Sequence, residues 1–161
     1  MKARLLLMPL LAATAIAAHA QVQVTDAWVR GTVAQQTTTG LFFDITSAQG
    51  GKLVAASTPV AREVQLHTMA MKGNVMTMRE VPAIELPAGK TVRLQPNGLH
   101  VMLFGLTHTL SSGETVLATL IVEDARGKRD SVQVQARVEA LGAPHSPQSM
   151  PAMSAASGAM K

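Results

Sequence analysis

Short apolar segments separated by turns run through the sequence, and this pattern constrains the fold most. Turn-forming pairs such as Gly50-Gly51 and Gly73-Asn74 separate these segments. In residues 62–68 and 91–94 apolar and polar residues alternate, as they do in half-buried strands. Turn signals every ~8–12 residues, with no helical period after the N-terminal segment, are typical of an antiparallel Greek-key sandwich or barrel. The sequence therefore predicts an all-β single domain, with strands over residues 21–30, 40–46, 52–58, 62–68, 75–81, 84–86, 91–94, 99–106, 114–122 and 129–138.

A leader precedes the predicted domain, which covers residues 21–140. Residues 1–20 combine a basic start, an apolar stretch and the small-residue cleavage signal Ala18-His19-Ala20, as secretory signal peptides do. Because the apolar stretch is short for a membrane span, we expect cleavage before Gln21, a periplasmic protein and no membrane insertion after cleavage. An uncleaved membrane anchor is the less favoured alternative.

The composition changes after the last predicted strand. From Gly142 onward the chain consists mainly of Pro, Ser, Ala, Gly and Met. Such a segment has too few large apolar residues to build a core. We therefore expect residues 141–161 to form a flexible tail that contains His and Met.

Charge and composition exclude several function classes. Two of the 14 basic residues lie in the leader and all 10 acidic residues lie outside it, so the mature chain has 12 basic and 10 acidic residues and a net charge of about +2. With no basic run and few aromatic rings, nucleic-acid binding is not expected. The sequence contains no cysteine, which excludes thiol nucleophiles, disulfide exchange and thiolate metal sites.

Histidines and methionines cluster between residues 67 and 102. The stretch contains two His-x-Met pairs, His67 with Met69 and His100 with Met102, and residues two apart on a strand share one face. Imidazole nitrogen and thioether sulfur together suit a soft metal ion, above all Cu(I). A single methionine usually packs in a core, so the interpretation depends on the cluster. No carboxylate in the motif is an evident general base, and we do not expect an enzyme.

The turn at Gly73-Asn74 predicts how the first pair is completed. A two-residue hairpin there places Met69 directly opposite Met78 and His67 diagonally from Met78 on the same face. These residues would meet the second His-x-Met pair if the strand over residues 99–106 lay beside the hairpin. The sequence alone does not establish that adjacency.

The spacing of these residues resembles a known family. His67 is followed by ten residues and Met78, and then by twenty-one residues and His100-Val101-Met102. This spacing resembles that of the periplasmic copper chaperones called PCu(A)C. Segments such as residues 26–30 and 98–103 are also similar, and the resemblance extends over most of the mature domain.

The resemblance implies a cupredoxin-like β-sandwich that binds Cu(I) through two histidines and two methionines, namely His67, Met78, His100 and Met102. It also implies a monomeric carrier whose partner is an apo copper acceptor protein. That acceptor would be the CuA domain of cytochrome c oxidase or a second copper chaperone. The alternatives are a copper-buffering or resistance protein without a dedicated acceptor, and a β-sandwich interaction module that binds no metal.

Further residues are candidate auxiliary ligands. Met69 has three possible roles: it replaces one of the four ligands, it lines an entry route, or it only shields the rim of the site. We expect the last of these. In the tail, His145, Met150 and Met153 are candidates for a Cu(II) site, because related proteins carry similar extensions. The alternative is that the tail is only a solvated end.

Overall fold

The structure is a computed structural model that describes residues 22–143 and residue 145. The predicted leader over residues 1–20 and the tail beyond residue 145 lie outside the described residues, so the predicted domain boundaries stay predictions. Within the described part no helix is long and apolar enough to cross a membrane. The described chain forms ten strands: β1 (Val22–Arg30), β2 (Thr38–Ser47), β3 (Gly51–Ser57), β4 (Ala61–Lys72), β5 (Val75–Glu80), β6 (Ile84–Leu86), β7 (Thr91–Leu94), β8 (His100–Leu106), β9 (Thr115–Glu123) and β10 (Arg129–Glu139).

The all-β class is confirmed, and the strands form one continuous sheet. Hydrogen bonds connect them in the order β5-β4-β8-β2-β1-β10-β9-β3-β6, with β7 beside β2. The pairing is antiparallel except between β1 and β10, which run parallel. Strands from both ends of this order contribute to one apolar cluster, so the sheet curls around a single core. The most buried large side chains are Phe43, Leu41, Ile45, Leu53, Leu86, Leu94, Leu103, Leu110 and Leu120.

Most strands begin and end within two residues of their predicted bounds, but β4 is longer than predicted. The sequence predicted a strand over residues 62–68, whereas β4 extends to Lys72. The extra residues pair with β5 alone, in a hairpin whose outer part, residues 71–80, is exposed throughout. This hairpin projects beyond the core. The pattern of buried apolar residues therefore could not indicate in the sequence where β4 ends.

Strand β8 separates the core from the outer face of the sheet. Val101 and Leu103 are fully buried in the core. Because side chains alternate along a strand, His100, Met102 and Phe104 lie on the opposite face. The two candidate ligands of β8 therefore lie outside the core, although His100 is itself only 4% exposed.

An aromatic layer covers this outer face. Trp28 on β1 stacks on Phe42 of β2 with ring centroids 4.4 Å apart, and Phe42 lies 6.2 Å from the ring of His100. Gly40, which pairs with Met102, leaves room for this layer. A Cβ atom at Gly40 would lie 2.5 Å from Cζ of Phe42. The small residue on β2 thus lets the Phe42 ring fold back over its own strand.

We expect Gly40→Ala to lower the free energy of unfolding by about 1–3 kcal/mol, the usual cost of overpacking. The buried ring of Phe42 is stacked on Trp28 and cannot move freely away from the added methyl group. Denaturant unfolding of the purified protein measures this change. Gly98→Ala is the matched control, since a Cβ there would contact only a backbone oxygen of Gln95 at 3.7 Å. Equal stability of the two variants would contradict this role of Gly40.

Candidate metal centre

The β4–β5 hairpin has the register that its turn predicted. Gly73 has a φ of +64°, as the first central residue of a type II′ turn requires. Met69 pairs with Met78, and His67 pairs with Glu80. His67 is therefore diagonal to Met78 on one face of the hairpin, as expected.

The strand that carries the second His-x-Met pair lies beside the hairpin. β8 pairs with β4 on the side away from β5, which places His67 directly opposite His100 and Gln65 opposite Met102. The two imidazole rings have centroids 5.8 Å apart and planes inclined by 43°. The structure thus supplies the adjacency that the sequence left open.

A cavity of about 290 Å³ opens at this point on the outer face, and four of the candidate ligands line it. These are Met69, Met78, His100 and Met102. His67 does not line the cavity. It is 8% exposed and lies between the ring of His100 and that of Phe104, whose centroid is 6.1 Å away. The structure therefore brings Met69, the expected rim residue, as close to the cavity as Met78.

His100 has a free nitrogen for a metal ion. Its Nδ1 lies 2.9 Å from the carbonyl oxygen of Gly98. A carbonyl oxygen only accepts hydrogen bonds, so Nδ1 carries the proton and donates it. Nε2 then keeps its lone pair. A hydrogen bond of this kind orients the ring of a metal-binding histidine and fixes its tautomer.

His67 has the opposite arrangement of its two nitrogens. Nε2 lies 2.8 Å from Oε1 of Gln65, whose amide nitrogen donates to Glu63 at 2.6 Å. Because this second bond fixes the orientation of the amide, Nε2 of His67 is the donor. Nδ1 is buried and has no hydrogen-bond partner among the described residues. A buried nitrogen left without a partner is costly, and a bound metal ion would satisfy it.

Electrostatics keep His67 neutral. Burial lowers the pKa of His67, and the neighbouring His100 lowers it further, while Glu80 acts in the opposite direction. Only the neutral ring can bind a metal ion through Nδ1. A lowered pKa therefore keeps His67 competent as a ligand at more acidic pH than an ordinary histidine.

The charges around the cavity favour a soft ion of low charge. Among residues 22–143 and 145, no three side chains of His, Cys, Asp or Glu are grouped in a way that could hold a metal ion. The guanidinium of Arg30 also lines the cavity and lies 5.7 Å from the centre of the Phe42 ring. Hard divalent cations need anionic oxygen ligands, whereas two imidazoles and neutral thioethers suit Cu(I).

The remaining histidines have other partners. His108 is exposed and its Nε2 lies 2.7 Å from Oε1 of Glu114, and it does not line the cavity. His145 stacks on Trp28 with centroids 4.7 Å apart, and its nitrogens lie 2.8 Å from Asp26 and 2.8 Å from Glu139. Both of its nitrogens are thus bonded to carboxylates. Met150 and Met153, the other candidate ligands of the tail, lie outside the described residues.

The residues that support the ligands were not among those predicted from the sequence. Gln65, two positions before His67 on the same strand face, could have been found from that spacing. Gly98 likewise lies two positions before His100, in the turn that precedes β8. The contact of Phe42 with His100 joins separate strands, and the local pattern carries no signal for it.

Comparisons with known proteins identify the family. Residues 22–138 match the family model described as "LpqE-like: Putative lipoprotein LpqE-like". The protein named "Putative lipoprotein Lxx21020" from Leifsonia xyli subsp. xyli is 34% identical over 117 residues, which cover 71% of this chain and 69% of that protein. The chain belongs to the LpqE-like family. The names of the family and of this relative indicate proteins of the cell envelope.

Solved structures share the fold of this LpqE-like protein. The Cu(I) form of DR1885 from Deinococcus radiodurans is 35% identical, with a TM-score of 0.58 over 78% of this chain and 83% of that one. The copper-bound PCuAC domain from PmoF2 is 24% identical, with a TM-score of 0.62 over 75% of this chain and 94% of that one. The second likeness concerns the fold alone. The resemblance to PCu(A)C proteins is confirmed at the level of the fold, and the spacing of the copper ligands stays a prediction.

His145 provides a pH-dependent contact that can be followed through Trp28, the only tryptophan. Burial disfavours the charged imidazole, but hydrogen bonds to Asp26 and Glu139 outweigh this effect and raise the pKa of His145 above its ordinary value of 6.5. The contribution of these two hydrogen bonds to the stability of the folded protein is therefore complete below pH 6.5. It is lost as the pH rises through the higher pKa that His145 has in the folded state. A neutral ring has one N–H and cannot donate to both carboxylates.

We expect Trp28 fluorescence to change with a midpoint above pH 6.5 in the native protein and to lack this transition in His145→Gln. His108→Gln is the matched control and should keep the transition, because His108 does not contact Trp28. The same transition in His145→Gln would show that another group is responsible.

Proposed function

We propose that this LpqE-like protein is a periplasmic Cu(I) carrier. Its ligands are Met78 of β5, His67 of β4, and His100 and Met102 of β8. The observation that carries the proposal is the facing pair of buried imidazoles, each with one nitrogen oriented by a hydrogen bond and the other free. The Cu(I) form of a relative that is 35% identical adds support from outside the chain.

The ligand set suits a carrier because it holds the ion without adding charge. Two neutral imidazoles and two thioethers leave Cu(I) with its single positive charge. Arg30 beside the cavity repels this ion less than it would repel a divalent cation. Thioether sulfur does not titrate, so protons compete with copper only at the histidines. The chain contains no thiolate that would hold the ion too tightly for release.

Exposure of the ligands sets an order for release. Met78 is 49% exposed, whereas His67 and His100 are buried. A thiolate or imidazole of an acceptor protein can approach Cu(I) from the side of Met78 and replace this thioether first. The histidines are replaced afterwards, so the ion is never without ligands and no electron is transferred.

The acceptor we propose is a copper protein of the respiratory chain, either the CuA domain of cytochrome c oxidase or a second chaperone that serves it. The protein itself acts as a monomeric carrier and not as an enzyme. Transfer of Cu(I) to an apo CuA domain distinguishes this function from copper buffering, in which copper would stay bound. Cu(II) binding by the tail stays a prediction.

Removal of one inner ligand should abolish tight binding. We expect His100→Ala to weaken Cu(I) binding at least ~100-fold, since loss of a group that merely orients a ligand already costs about 10–100-fold. Competition with a Cu(I) chelator measures the affinity. His108→Ala is the matched control, because this histidine lies on the surface and pairs with Glu114. Equal retention of copper by both variants would refute the proposed site.

A second comparison separates the two thioethers that face each other across the hairpin. We expect Met78→Leu to weaken Cu(I) binding and Met69→Leu to leave the equilibrium affinity nearly unchanged. Leucine keeps the apolar volume and removes only the sulfur. The same chelator competition applies to both variants. The reverse result would assign the ligand role to Met69 and would show that the family spacing selects the wrong methionine.

A further inference from the structure

The outer half of the β4–β5 hairpin carries methionines that the proposed copper site does not use. Met71 and Met76 are directly paired across the hairpin, two residues closer to the turn than the pair Met69 and Met78. Met71 is 62% exposed and Met76 is 47% exposed. They do not pack in the core, so the usual explanation for methionine on a strand does not apply to them.

The concentration of exposed apolar side chains here is unusual for this protein. Seven large apolar residues of the described part are strongly exposed, and four of them lie on this one hairpin. Three of these four are methionines, Met71, Met76 and Met78, and the fourth is Val75 at the turn. Isolated exposed apolar residues need no explanation, but a contiguous group marks a functional surface.

The two methionine pairs share one face. Met69 and Met71 are two residues apart on β4, and Met76 and Met78 are two residues apart on β5. Directly paired residues have Cβ atoms ~4.5–5.5 Å apart, and neighbouring pairs remain within reach of long side chains. Four flexible thioethers can therefore reach one ion, and those of Met69, Met71 and Met76 stay available when Met78 binds an ion at the inner site. We call these four residues the methionine ladder.

The charges near the methionine ladder do not favour a hard ion. Lys72 and Arg79 pair with Val75 and Thr68 and belong to the opposite face of the hairpin. On the ladder face the next polar residue inward is Glu80, which pairs with His67. Neutral sulfur ligands with no carboxylate between them select a soft monovalent cation.

We propose that the methionine ladder is an outer Cu(I) site at which the ion is received before it moves inward to the two histidines. This inference rests on the proposed function, because the inner site is the destination of the ion. The bonds from copper to Met71 and Met76 break as bonds to His67 and His100 form. Both sets of ligands are neutral, so neither a proton nor an electron is transferred.

The order of exposure agrees with this route. Met71 and Met76 lie at the tip of the hairpin, Met78 is half exposed, and Met69 and Met78 line the cavity next to His100. Sulfur ligands are therefore available along the whole path from solvent to the buried imidazoles. A surface that only docked an apolar partner protein would not need sulfur, and leucine would serve it equally well.

The test uses the mature protein with 13C-labelled methionine methyl groups, titrated with Ag(I) as a redox-inert soft monovalent ion. We expect the first equivalent to shift the methyl signals of Met78 and Met102 and the ring signals of His100. The second equivalent should shift those of Met71 and Met76. The variant Met71→Leu/Met76→Leu should lose the second equivalent and keep the first.

Val75→Ala is the matched control, because it changes an exposed apolar residue at the same turn without removing sulfur, and it should keep both equivalents. Unmoved signals of Met71 and Met76, or a second equivalent retained by the double leucine variant, would overturn the outer site. Unmoved His100 signals at the first equivalent would instead refute the proposed function and, with it, the inward step.

Discussion

The pairing of β4 with β8 is the constraint on which the candidate site depends. It sets His67 opposite His100 and brings the two His-x-Met pairs onto one face. Its register is fixed from the other face, where Val101 and Leu103 are fully buried. A slip by one residue would turn these side chains outward and His100 into the core. Burial in the core thus determines the geometry of residues that are not part of it.

The site is supported by residues that are not candidate ligands. The Gly98 carbonyl and the Gln65 amide fix which nitrogen of each histidine is free, and the two rings present different nitrogens. Phe42 lies beside His100 and is itself stacked on Trp28, so packing holds the ring of His100 in place before any ion arrives. Such preorganisation lowers the cost of ordering the ligands on binding.

Local patterns predicted the fold class, the strands and the β4–β5 register, because alternation and turn chemistry are properties of neighbouring residues. Gly73-Asn74 alone was enough to place Met69 opposite Met78. Contacts between distant segments were not predictable in this way. They include the β4–β8 pairing, the parallel pairing of β1 with β10, and the stacking of His145 on Trp28. The candidate ligands were found by their chemistry and spacing. Gln65 and Gly98 are local partners of their histidines, whereas the packing of Phe42 beside His100 depends on a distant contact.

The most direct test is X-ray absorption spectroscopy of the mature protein loaded with one equivalent of Cu(I). The ion should be held by the two histidines together with Met78 and Met102. The spectrum should therefore fit a first shell of two nitrogen and two sulfur atoms. A shell of sulfur alone would place the ion among the methionines of the hairpin and would contradict the central role of the facing imidazoles. Absence of bound copper would contradict the carrier function itself.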